Sequence, residues 1–145
     1  MKQKKIFFEH RNSLESSFGI ESAWATPISK NLFKLDNILF YAKDYSLGDI
    51  VKVKKRNQDL IVIGLEKESG HSTIRIIFND ESDVIIIREK LKELGCESEI
   101  SNSSILISVD IPSEVKYNLI KSFLEQGEKL SKWVYEEACI AHTDW

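Results

Sequence analysis

The sequence predicts an α+β chain in two parts: a small curved β-sheet or barrel over residues 1–70, then a ferredoxin-like βαββαβ part over residues 71–145. Three observations carry that expectation. Apolar residues in the first 70 positions come in short runs divided by turn residues. Apolar residues at helical spacing stand near 82–95 and 112–127. Each of these stretches lies between runs of strand length rich in β-branched residues, the pattern of strand, helix, strand, strand, helix, strand.

In chain order, Lys5–Glu9 is a short apolar strand and Ser13–Gly19 a serine-rich connection. Ile20–Ile28 is the next strand, with Pro27 near its end, where a missing N–H does least damage. Leu32, Phe33, Leu35 and Ile38–Tyr41 continue the apolar content in short pieces. Gly48-Asp49 turns the chain into Ile50–Lys54, whose alternation puts Val51 and Val53 on one face and Lys52 and Lys54 on the other. Asn57-Gln58-Asp59 turns it back into Leu60–Leu65. Strands this short and this closely spaced suggest strong curvature.

Ser69-Gly70-His71-Ser72 breaks this rhythm and marks the boundary between the parts. Thr73–Phe78 is a β-branched strand. Ser82 stands where it can cap a helix carrying Val84, Ile87, Leu91 and Leu94 at helical spacing, closed by Gly95. Cys96–Ile100 and Ser104–Ile111 form a hairpin about Asn102-Ser103. Pro112-Ser113-Glu114 opens a second helix with Val115, Leu119, Ile120, Phe123 and Leu124 inward, and Gly127 ends it. Trp133–Ile140 is the last strand. Right-handed crossovers put Thr73–Phe78 and Ser104–Ile111 at the centre of a four-stranded antiparallel sheet, with both helices on one face and the other face open to a ligand or partner.

A chain of 145 residues buries roughly 68–70% of its unfolded surface, so it folds without disulfides or metal. Cys96 and Cys139 therefore read as reduced, buried thiols. The basic start is followed by three apolar residues before Glu9, too few for an export signal. No run approaches the ~20 apolar residues of a membrane span, so the expected setting is cytoplasmic and away from membrane. A net charge of −3 argues against a general nucleic-acid binder. The local exception, Lys52, Lys54, Lys55 and Arg56, reads as the solvated face of a strand running into a turn.

Each residue that could carry chemistry has a simpler account. His71 lies between Ser69 and Ser72, but side chains this close in a turn rarely reach the roughly 2.6–3.2 Å geometry of a nucleophile and its base. Gly70 is expected to supply an unusual φ, with His71 and its hydroxyl neighbours tying the linker to both halves. Cys139 and His142 make a C-x-x-H pair without the second pair that a closed zinc site needs. Glu136 and Glu137 are consecutive on a strand and face opposite sides, so they cannot share a substrate. Trp24, Trp133, Tyr135 and Trp145 lack basic neighbours for base stacking and read as core or interface. Catalytic residues, metal and cofactor are thus all expected to be none.

Five blocks are similar to those of an uncharacterised bacterial domain-of-unknown-function family: 21–25 (Glu-Ser-Ala-Trp-Ala), 35–38 (Leu-Asp-Asn-Ile), 69–73 (Ser-Gly-His-Ser-Thr), 94–96 (Leu-Gly-Cys) and 135–137 (Tyr-Glu-Glu). The resemblance carries no activity, but small stand-alone proteins of this general kind include immunity proteins. It implies a non-enzymatic binding protein that neutralises a cognate toxin, a nuclease being the expected kind. Small size and a mildly acidic balance agree with this, and the expected contacts are His71, Ser69, Glu97, Glu99, Glu136, Glu137 and Asp144, the carboxylates facing a basic partner. The alternative is a regulatory module that binds a small molecule or RNA on the open face of the sheet.

Overall fold

A computed structural model describes residues 2–12 and 17–144; most of the expected 13–19 connection and Trp145 lie outside the described residues. The chain is α+β, with two helices and two sheets of five and four strands. The first sheet takes β1 (Lys4–Asn12), β2 (Ser17–Ser29), β3 (Leu32–Leu35), β4 (Ile50–Arg56) and β5 (Asp59–Lys67) in sequence order. Neighbours pair antiparallel, and a parallel bridge between Phe7 and Ile61 brings β1 to β5, closing the sheet on itself. Alternation along each strand sends Ile6, Phe8, Ala23, Ala25, Phe33, Leu35, Val51 and Val53 into one core. Asn57 and Gln58, at φ 51° and 77°, supply the positive dihedrals of a tight hairpin between β4 and β5.

The second sheet holds β6 (Ser72–Phe78), β7 (Ser98–Ile100), β8 (Leu106–Ile111) and β9 (Trp133–Cys139), in the order β7-β8-β6-β9. The apolar strands β6 and β8 are central, as their composition predicts. Ile74, Ile76, Phe78, Ile107, Val109 and Ile111 face α1 (Val84–Glu93) and α2 (Tyr117–Lys129) and form the second core.

Five details differ from expectation. The side chain of Asp80, not Ser82, caps the turn before α1 by accepting the Ser82 N–H. Helix α2 begins at Tyr117 rather than near Pro112, whose carbonyl instead closes a turn with the Val115 N–H. Leu94 and Leu119 are exposed, while Tyr117 takes an inward position. Gly127 does not stop α2: it lies inside the helix, where an added Cβ would stand 1.9 Å from Trp133 Cζ2. The glycine is thus the slot into which the Trp133 indole packs. The 101–105 connection is wider than a two-residue hairpin, because Ser101 Oγ accepts the Ser103 N–H and donates to its carbonyl.

Candidate functional site

The helix-free face of the second sheet is not open along its whole length. Segment 36–49, which joins β3 to β4 in the first sheet, roofs one end of it. The roof is irregular backbone, and its polar groups are satisfied by side chains from both sheets. The Glu21 carboxylate, from β2, accepts the N–H groups of Phe40, Tyr41 and Ala42. Arg75, at the middle of β6 and 5% exposed, donates to the carbonyls of Leu39, Tyr41 and Ala42 and to Glu136 Oε1 at 3.0 Å. Ser108 on β8 donates to the same Leu39 carbonyl at 2.6 Å, and Asp44 N–H reaches the Ala138 carbonyl on β9. Burial holds the Arg75 guanidinium below its usual range, against the opposing pull of Glu136 and Glu21.

The 69–73 junction is bound in the same way. Buried Asp49 accepts the N–H groups of Ser46 and Ser69, Ser69 Oγ donates to the Leu47 carbonyl, and Ser46 Oγ meets Thr73 Oγ1 at 2.8 Å. Gly70 has φ +92°, the left-handed conformation expected of it. His71 N–H donates to Ser69 Oγ, and its Nδ1 lies 2.8 Å from Asp110 Oδ1 on β8. Burial raises the Asp110 carboxyl above its ordinary value, and His71 partly offsets this.

The histidine that meets Ser72 is His142. Its Nε2 lies 2.9 Å from the Pro112 carbonyl, which can only accept, so Nε2 carries the proton and Nδ1 accepts the Ser72 hydroxyl at 2.5 Å. Ser72 Oγ in turn accepts the N–H groups of Ala141 and His142. Ser72 is fully buried, so the pair pins the chain end rather than presenting a nucleophile. With both ring nitrogens committed, His142 has no lone pair for the C-x-x-H metal reading.

The acidic residues expected to act together are divided by the fold. Glu97 and Glu99 belong to the β7 edge, Glu136 and Glu137 to the opposite β9 edge, roughly 14 Å away across three strand spacings. Glu136 and Glu137 do face opposite sides: Glu136 pairs with Arg75 and with Lys43 at 3.6 Å, whereas Glu137 accepts from Tyr117 and lies 3.7 Å from Lys121. Asp144 reaches the first turn of α2, at 3.5 Å from the Asn118 N–H. Both thiols are free; burial pushes Cys96 up to about 12 and raises Cys139. Trp133 is core, and Trp24 lies half-exposed on the first sheet.

Sequence reasoning passed over Arg75, Glu21 and Asp110, yet two of them signal themselves. A charge in the middle of Thr-Ile-Arg-Ile-Ile-Phe or Leu-Ile-Ser-Val-Asp-Ile, on a central strand, needs a buried partner. Beyond the roof the same face is bare. Leu106, Ile77 and Val134 are register partners in one row across β8, β6 and β9, with Ile77 46% and Val134 53% exposed.

Fold and seam together define a two-sheet α+β protein whose halves are joined by buried polar side chains. The chain belongs to the DUF4265 family, a domain of unknown function, whose model matches residues 21–135. It is similar to the crystal structure of a hypothetical protein from Neisseria gonorrhoeae, at 23% identity, with 99% of each chain covered and a TM-score of 0.85. That likeness extends the fold, not an activity. No curated protein matches the chain.

Proposed function

We propose that this chain is a non-enzymatic protein-binding module, an immunity protein that docks a basic cognate toxin on the bare end of the β7-β8-β6-β9 sheet face. The observation that carries it is the row Leu106–Ile77–Val134 beyond the roof, in which Ile77 on a central strand and Val134 on an edge strand are exposed beside half-buried Leu106. Residues 71–145 carry 14 Asp+Glu against 8 Lys+Arg, a balance of −6 that favours a basic partner, and Glu99 lies on the same face as Ser108, beside the row. A small-ligand or RNA site on this face is less well supported, because its central cation, Arg75, is spent on three carbonyls and Glu136.

The strand order and two crossover helices support reading residues 71–145 as a ferredoxin-like domain, and the closure of β1 on β5 supports a barrel-like domain over residues 1–70. A cytoplasmic setting suits a toxin neutraliser, and no described helix is long and apolar enough to cross a membrane.

Co-expression with the toxin-like product of the neighbouring gene tests this reading. The chain should protect the cells and inhibit the purified toxin, and Ile77→Asp with Val134→Asp should lose both effects while the protein stays folded. Protection that survives the double substitution, or a neighbouring product that the chain does not bind, sinks the proposal.

A further inference from the structure

A second feature lies where the five-stranded sheet closes. Strands β1 and β5 run parallel and meet in register at Phe7 and Ile61. On the side of that bridge towards the start of β1 and the 57–58 turn, they leave a cleft of about 380 Å³. Lys4 and Lys5 of β1 and Lys55 at the end of β4 line it, with Phe7 and Leu60 as its apolar surface and Gln58 and Asp59 at the turn.

The basic run at 52–56 divides here. Lys52 is paired with Glu66 at 3.4 Å and Arg56 with Glu9 at 2.7 Å, on the solvated side of the strand. Lys55 turns the other way and enters the cleft. Lys4 and Lys55 make no ion pair with the described residues, and Lys5 Nζ rests 5.4 Å from the centre of the Trp24 ring. Residues 1–70 hold 12 Lys+Arg against 9 Asp+Glu, so this half is net +3 within a chain of net −3. Three ammonium groups against one carboxylate make the cleft a local well for anions.

We propose that this cleft binds a nucleoside phosphate. Lys4 and Lys55 hold the phosphate as unpaired point charges, and Lys5, over the Trp24 ring, adds positive charge at the rim. Phe7 and Leu60 offer the flat base an apolar surface. The Asp59 carboxylate and the Gln58 amide accept from an exocyclic amino group on the base. An acidic peptide would satisfy the lysines but leave the apolar surface and the Asp59 acceptor unused. The volume suits one nucleotide, free or at the end of a strand.

Isothermal titration with ADP, inorganic pyrophosphate and a five-residue deoxyadenylate tests it. ADP should bind, and Lys4→Ala with Lys55→Ala, both solvent-exposed, should weaken it roughly tenfold or more at unchanged Tm. Phe7→Leu should weaken ADP while leaving pyrophosphate as it was. Tighter binding of the oligonucleotide than of ADP would mark a strand as the source, and weaker binding the free nucleotide. No ADP binding, ADP binding unmoved by the lysine variant, or pyrophosphate bound as well as ADP with Phe7→Leu silent would each overturn the assignment. Ile77→Asp with Val134→Asp should leave ADP binding intact, so failure of the toxin reading and failure of this one are separable.

Discussion

The helix-free face of the second sheet carries two surfaces of opposite chemistry. Its roofed end is polar: Arg75, Ser108 and Thr73 bond a segment of the other sheet, while Asp110 meets His71 at the junction. Its bare end is apolar and unsatisfied only in the sense that water covers Ile77 and Val134. The contrast teaches how to separate structural from functional residues here. Charged and hydroxyl groups, usually taken as signs of a site, hold the halves together, and the surface left uncovered is hydrophobic.

Substitutions can break or sharpen that contrast. The largest effect should come from Arg75→Met, which leaves the Tyr41 and Ala42 carbonyls without a donor while Leu39 keeps Ser108 and half-exposed Glu136 keeps Lys43; chemical denaturation should show a loss of about 3–5 kcal/mol. A loss below about 1 kcal/mol would mean that the roof does not depend on the guanidinium. Glu21→Ala, acting from the other side of the same segment, should cost about 1.5–3 kcal/mol, because three backbone N–H groups lose a charged acceptor.

Asp110 gives a smaller, pH-dependent signal. Burial raises its carboxyl in the folded state, so as pH climbs past the ordinary carboxylate value the unfolded chain releases this proton first. Stability from this group therefore falls with rising pH across the window between its ordinary and raised values. Measured from pH 3.5 to 6, roughly the span above the usual Asp value, the difference between Asp110→Asn and wild type should move in favour of Asn. A flat difference would show that His71 offsets the burial in full. Smallest of all should be Val134→Asp, within about 0.5 kcal/mol by thermal melting, since nothing covers the side chain. A large loss there would place Val134 in the core and remove it from the proposed interface.

Much of the fold was legible in short-range pattern. Period-2 alternation in 50–54 and helical spacing at 84, 87 and 91 report which side chains lie on one face, and geometry allows few alternatives. The errors fell where a residue's role depends on distant chain. Gly127 reads as a helix stop until Trp133 is packed against it, and Ser82 reads as a cap until Asp80 takes the bond. The candidate site was legible only at the 69–73 junction. The acidic residues looked like one group in the sequence, but β7 and β9 are opposite edges.

By itself, then, the sequence determined the class of the fold, the two helices and the strand faces, all consequences of periodicity and backbone geometry within a few residues. Tertiary structure alone decided that Arg75 clamps segment 39–42, that His142 rather than His71 meets Ser72, and that one apolar row stays bare. These depend on contacts between residues 33 to 70 positions apart, and only the closed chain brings such groups within hydrogen-bonding distance.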